Sequence, residues 1–247
     1  VLDRLVVRFA GDSGDGMQLT GDRFTSVIAS FGNDLSTLPD FPAEIRAPAG
    51  TVNGVSSFQV HISDHEITTP GDEPNVLVAM NPAALKADID RLETGGTLIV
   101  NEDAFEERDL EKAEYEVNPL DDGSLNSYRV IKLPMSSMTR EACAPLGVKA
   151  RDAERSKNFF ALGLVSWMYT RPTEPTLEWI AEKFAKNEQV AAANTAAFKA
   201  GYNFGNTTEQ VGHRYEVRPA ELAPGDYTSI TGNTALAWGI VAAGQLS

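Results

Sequence analysis

The chain has 247 residues, 42% of them hydrophobic, enough to fill the core of one large domain or of one and a half smaller ones. A net charge of −14 with no visible basic patch argues against a nucleic-acid binder, and no apolar run is long enough to span a bilayer. The single cysteine, Cys143, suits a reducing cytoplasm and excludes an intrachain disulfide or a CxxC metal site, and no secretory leader is visible.

The first predicted unit is a strand and a helix. Leu5 to Phe9 is β-rich and apolar enough for a buried strand, and Met17 to Phe31 carries apolar residues at helical spacing. Between them stands GDSGDG, Gly11 to Gly16, which can be read in three ways. It nearly spells the GDSGGP of trypsin-like proteases. That fold needs its histidine well upstream of the serine, whereas His61, His65 and His213 all follow Ser13. It also contains the GDG that opens a thiamine diphosphate motif, but of the next asparagines Asn33 is too near and Asn53 too far. The third reading is a glycine-rich strand-to-helix turn, in which glycines permit the reversal and the helix points free N–H groups at the loop. As a dinucleotide fingerprint it is imperfect, because Ser13 replaces the second glycine and Asp12 and Asp15 would repel a pyrophosphate. A turn that binds nothing remains an open alternative. A tight turn requires a positive φ at Gly14 or Gly16.

Thr37 to Gly54 follows, with three prolines, two glycines and one cation, Arg46; so long an aperiodic stretch is often functional. Val55 to Ile62 alternates, which predicts a half-buried strand with Phe58, Val60 and Ile62 inward and His61 at the surface. Asn75 to Met80 is a short apolar strand. Asn81-Pro82 then opens a helix to Leu92, and Thr97 to Val100 is another strand. This is the βαβ pattern of a parallel sheet. The acidic Glu102 to Glu116 reads as a solvated face rather than a docking surface, and Tyr128 to Leu133 as a further strand.

From Met135 onward the pattern is helical. Ser156 to Thr170 is nearly apolar all round after its first three residues, predicting burial of Phe159, Leu162, Leu164 and Trp167 in the core or against another subunit. Leu177 to Phe184 and Glu188 to Asn203 are two more helices. Pro219 and Pro224-Gly225 mark a boundary, and the last residues open a new helix and stop, which reads as a truncation.

Four segments in order, GDSGDGMQLTGDRF, DFPAEIRAPAG, SKNFFALGLVSWMY and ITGNTALAWGIVAAG, resemble the alpha subunit of 2-oxoacid:ferredoxin oxidoreductases. The likeness is greatest to the 2-oxoglutarate branch, where a gamma domain is fused ahead of the alpha domain. The resemblance implies a three-layer α/β/α gamma domain on a mainly parallel sheet over residues 1–200, a linker over 201–226, and the truncated start of the pyrimidine-binding alpha domain over 227–247. In the family the gamma domain opens with GxGGxG, so Ser13 stands for a glycine. The glutamate–arginine loop matches Glu44 and Arg46, with Ala47 and Pro48 where glycines are frequent.

The implied reaction converts a 2-oxoacid, coenzyme A and two oxidised ferredoxins to an acyl-CoA, carbon dioxide and two reduced ferredoxins. Thiamine diphosphate with magnesium and an iron–sulfur cluster serve it, held largely by a beta subunit, so this chain alone is expected to bind none of them and to be inactive. The expected partners are that beta subunit, and ferredoxin through it, in a cytoplasmic hetero-oligomer. Gly11, Ser13, Gly14, Gly16 and Arg46 become candidate coenzyme A contacts. Two rivals stand beside this reading. One is a free-standing dinucleotide-binding dehydrogenase domain, which wants an acidic residue closing its second strand about 20 residues past the loop. The other is a purely structural subunit.

Overall fold

The computed structural model describes residues 1–41 and 54–246. Six strands form one sheet in the order β2-β3-β1-β4-β5-β6. They are β1 (Arg4–Asp12), β2 (Asp34–Asp40), β3 (Val55–Ser63), β4 (Val76–Ala79), β5 (Thr97–Asn101) and β6 (Arg129–Leu133). β1, β4, β5 and β6 pair in parallel, and β3 is antiparallel to both β1 and β2, so β3 alone runs against the rest. The sheet is therefore mixed, with parallel direction dominant.

The helices are α1 (Met17–Phe31), α2 (Pro82–Asp88), α3 (Glu107–Lys112), α4 (Met135–Cys143), α5 (Ala150–Glu154), α6 (Lys157–Met168), α7 (Glu174–Lys183), α8 (Glu188–Thr207) and α9 (Gly232–Leu246). Leu5, Val7 and Phe9 face a core shared with α1, α4, α6, α7 and α8. On the opposite face Ala10, Leu77 and Leu98 meet α2, with Leu110 of α3 against that cluster. Two helical layers thus sandwich the sheet, as expected for an α/β/α domain.

The N-terminal half follows the sequence closely, and α1 has the predicted limits. The aperiodic stretch is shorter than expected, since Thr37 to Asp40 pair with β3 as the end of β2. The half-buried reading of β3 is corrected: nearly all of it is buried, because it lies inside the sheet between β1 and β2. His61 is 6% exposed, with its Nδ1 2.8 Å from the Thr69 carbonyl oxygen. The segment at Thr69 to Gly71 folds over that face and takes Gln59 Nε2 at 2.9 and 2.7 Å through two carbonyls. Alternation there separates apolar from hydrogen-bonded polar burial; it does not mark core against solvent.

The apolar circumference of α6 has its cause in packing. Phe159, Leu162, Leu164 and Trp167 are all buried, inside the domain. α8 crosses so closely that glycines are needed on both helices: a Cβ on Gly163 would lie 2.1 Å from the Phe198 oxygen. Past the end of α8, Val211 and Val217 are fully buried, and Val217 bridges Leu2. α9 differs, since Leu236, Trp238, Ile240 and Val241 on it are exposed.

Candidate functional site

Helix α1 leaves β1 toward one face of the sheet and α2 leaves β4 toward the other. β1 and β4 are neighbours, so a crevice opens between their carboxyl ends, where open α/β sheets place ligands. The glycine loop forms one lip of it.

The loop is a turn closed on itself. The Asp15 N–H donates to the Asp12 carbonyl at 2.8 Å, and Asp15 Oδ2 accepts the Asp12 N–H at 3.1 Å. Gly16 then caps α1 with φ 75° and ψ 26°, a left-handed conformation unfavourable to residues with a Cβ. The required positive φ is thus at Gly16, and Gly14 is not among the positive-φ residues. No side chain caps α1; Thr20 Oγ1 returns to the Gly16 oxygen at 3.1 Å. Gly11 is buried near the end of β1, whereas Ser13 and Gly14 are exposed at the tip. The four loop candidates therefore sit together. Arg46, like Glu44, lies outside the described residues.

Below the loop is a cleft of about 160 Å³, lined by apolar Met80, Pro82 and Ala83 and by the charged Asp12, Asp15, Asp109, Lys112 and Lys157. Its size suits part of a ligand rather than a whole drug-sized molecule. Asn81 orders its floor: its Oδ1 accepts the Ala84 N–H at the start of α2, and its Nδ2 donates to Asp12 Oδ1, both at 2.8 Å. Burial, and then the Asp15 charge, push the Asp12 carboxyl above its ordinary range. Lys157 Nζ lies 3.1 Å from Asp15 Oδ1 and 3.6 Å from Glu154 Oε1. Burial works against the Lys157 charge, but those two carboxylates outweigh it and hold the ammonium above its usual range.

Lys157 and Asn158 were not singled out from the sequence. Asn158 Nδ2 would be 2.7 Å from a Cβ on Gly16, so the start of α6 presses on the loop from behind. The signal was a polar pair, Lys157-Asn158, opening an otherwise largely apolar helix. A second missed group is Arg8, 1% exposed in the middle of β1. Its guanidinium reaches Asp88 on α2 and Asp40 at the end of β2, each at 2.8 Å. It thereby ties the exit of β2 to the α2 layer. Asp88 Oδ2 is buried with no hydrogen-bond partner among the described residues, and burial, against the opposing pull of Arg8, raises its pKa.

The loop does not fit a thiamine diphosphate site. Asp15, the aspartate of the GDG, has both oxygens engaged, one by Lys157 and one by the loop backbone, so it is not presented to a metal-bound diphosphate. Among the described residues no group of three or more His, Cys, Asp and Glu is placed to hold a metal ion. Cys143 is buried, with its Sγ 3.6 Å from the Ala193 oxygen, and one thiolate cannot supply a cluster's ligand set. The dinucleotide reading gains nothing from β2, because Asp34 opens that strand and its Oδ2 accepts the Ile67 N–H at 2.7 Å.

A larger open hollow of about 800 Å³ lies at the amino-end edge, lined in part by Asp34, Asp64, His65 and Glu221. His65 Nδ1 is 2.8 Å from Ser63 Oγ and 2.9 Å from Asp64 Oδ1. One ring nitrogen serves both partners, so no Ser-His-Asp relay exists there. The crevice beside β1 carries the more ordered polar groups.

Residues 6–204 match the family described as pyruvate ferredoxin/flavodoxin oxidoreductase. The chain is 58% identical over 246 residues, its whole length, to 2-oxoglutarate oxidoreductase subunit KorA of Mycobacterium tuberculosis, and it spans 38% of that protein. A 2-oxoglutarate:ferredoxin oxidoreductase from Magnetococcus marinus, solved with 2-oxoglutarate, coenzyme A and succinyl-CoA, superposes on 98% of this chain with a TM-score of 0.73 at 24% identity. This chain covers 37% of that one. The gamma subunit of a keto/oxoacid ferredoxin oxidoreductase from Geobacter sulfurreducens is covered over 99% of its length, matching 83% of this chain with a TM-score of 0.58 at 18% identity. The two solved structures bear on the fold, and KorA on the sequence. No helix among the described residues is long and apolar enough to cross a membrane.

Proposed function

The chain belongs to the pyruvate ferredoxin/flavodoxin oxidoreductase family, and from that membership we propose that it serves as the gamma-domain part of the alpha subunit of a 2-oxoglutarate:ferredoxin oxidoreductase. The observation that carries the reading is the 58% identity to KorA across the whole chain. A gamma subunit of the same fold, matched over 99% of its length by 83% of this chain, supports a gamma-domain unit that makes up most of the chain. The fold carries that unit past residue 200, since α8 runs to Thr207 and Val211 and Val217 are buried in its core.

In this reading the assembled enzyme converts 2-oxoglutarate and coenzyme A to succinyl-CoA and carbon dioxide and passes two electrons to ferredoxin. Thiamine diphosphate with magnesium supplies the carbanion chemistry, and an iron–sulfur cluster carries the electrons, both on a beta subunit. The present residues bind and orient. Gly11, Ser13, Gly14 and Gly16 form a lip against which coenzyme A lies, and Arg46 makes a charge-assisted contact to one of its phosphates. The cleft lining mixes apolar Met80, Pro82 and Ala83 with Asp12, Asp15 and Asp109 and the cations Lys112 and Lys157, which suits a polar, amide-bearing segment of the ligand. The phosphates would lie toward the loop tip, where Ser13 and Gly14 are exposed.

Hydrogen exchange tests the placement. Coenzyme A added to the assembled enzyme should slow exchange at residues 11–16, and NADH should not. Protection by NADH instead would favour the dehydrogenase reading, and protection by neither would make this segment structural.

A further inference from the structure

Lys157 breaks two local preferences at once. It is the first residue of α6, where the positive end of the helix dipole disfavours a cation, and no side chain caps that end. Its side chain is also only 16% exposed, so the ammonium has given up most of its water. Conflicts of this kind mark places where a specific contact compensates. Here the compensation comes from the glycine loop, since Asp15 Oδ1 lies 3.1 Å from Nζ, closer than Glu154 of the lysine's own neighbourhood at 3.6 Å.

Asp15 divides its two oxygens. One takes Lys157, and the other accepts the Asp12 N–H that closes the turn. The next residue, Asn158, abuts Gly16 and donates to Thr20 Oγ1 at 3.3 Å. The first turn of α6 thus touches both the charge of the loop and its left-handed exit.

We propose that Lys157 is a positioning residue for the glycine loop: through Asp15 it fixes the turn, and it cancels one of the two carboxylate charges that would otherwise face an incoming phosphate. The first half of the proposal concerns this chain alone, and the second rests on the reading of the loop as a coenzyme A contact. Without Lys157, Asp15 would lose the ion pair that offsets its charge beside Asp12. Burial and Asp15 already raise Asp12, so the strain between the two carboxylates is present even with the lysine in place.

Four variants separate the two halves: Lys157→Met, Lys157→Arg, Asp15→Asn and the Lys157→Met/Asp15→Asn double variant. In the ligand-free chain, Lys157→Met should speed hydrogen exchange at Asp12 and Asp15 by about tenfold, the loss expected for a charge-assisted bond, while the amides of Leu5 to Val7 stay protected. Lys157→Arg should preserve the slow exchange. In the assembled enzyme, Lys157→Met should raise KM for coenzyme A about tenfold with little change in kcat, and adding Asp15→Asn should recover most of it by removing the exposed charge. Unchanged exchange in Lys157→Met would overturn the proposal, as would an equal KM in the single and double variants when both are raised. Faster exchange with an unmoved KM in every variant would overturn the coenzyme A reading and leave the anchoring of the loop standing.

Discussion

Gly163 of α6 and Phe198 of α8 approach so closely that a single added carbon on the glycine would lie 2.1 Å from the phenylalanine carbonyl oxygen. Gly201 returns the relationship, at 2.0 Å from the Phe160 oxygen. The obstacle is backbone in both cases, so no rotamer change relieves it. Gly163→Ala should therefore destabilise the chain by about 1–3 kcal/mol or more, as overpacked cores do. Urea unfolding would measure it, and a midpoint within error of the parent would contradict the packing described for these helices.

The glycine loop gives a paired test. Gly16→Ala should cost about 1–2 kcal/mol for the left-handed backbone, with added crowding from Asn158. Gly14→Ala meets nothing within 4 Å and requires no positive φ, so it should be neutral or stabilise by about 0.4–1 kcal/mol through the unfolded chain. Thermal melts of the two variants should separate in that order. The reverse order would mean that the turn is built differently.

Arg8 is the buried cation between Asp88 and Asp40, and Arg8→Met should destabilise by about 3–5 kcal/mol because the buried Asp88 loses its close partner and keeps only the more exposed Arg91 at 3.4 Å. The effect should depend on pH. Burial raises the Asp88 pKa in the folded state even with Arg8 present, and removing Arg8 raises it further. Between the unfolded pKa and that raised folded value the native state binds more protons, so stability falls as pH rises through the window. Arg8→Met should accordingly be closest to the parent in mildly acid solution and fall away toward neutrality. A gap between the two proteins that stays constant with pH would show that Asp88 is not the group responsible.

Much of this fold was legible because short-range chemistry and burial pointed the same way. Leu5 to Phe9 and Met17 to Phe31 read correctly as strand and helix, and the glycines between them demanded the left-handed turn now seen at Gly16. β3 misled because alternation cannot tell solvent from a second covered face, and His61 and Gln59 are satisfied by carbonyls that only the fold brings near. Arg8 was invisible for the same reason, since its carboxylates lie 32 and 80 residues away. The candidate site was half legible. Gly11 to Gly16 announce a turn, but Lys157 reaches it from a helix more than 140 positions later, and nothing in an apolar helix's first residue names its partner.

The central claim, that this chain is the gamma-domain part of a 2-oxoglutarate:ferredoxin oxidoreductase, is tested most directly by an activity comparison. Full-length alpha subunit with its beta partner and the 247-residue chain alone would each be given 2-oxoglutarate, coenzyme A and oxidised ferredoxin, and ferredoxin reduction followed by absorbance. The assembled pair should reduce ferredoxin only when both 2-oxoglutarate and coenzyme A are present, and less well with pyruvate. The isolated chain should not turn over, because the GDG aspartate of its loop, Asp15, is held by Lys157 and the loop backbone and one cysteine cannot hold a cluster. Turnover by the isolated chain free of beta subunit, or an assembled pair that ignores coenzyme A, would contradict the account.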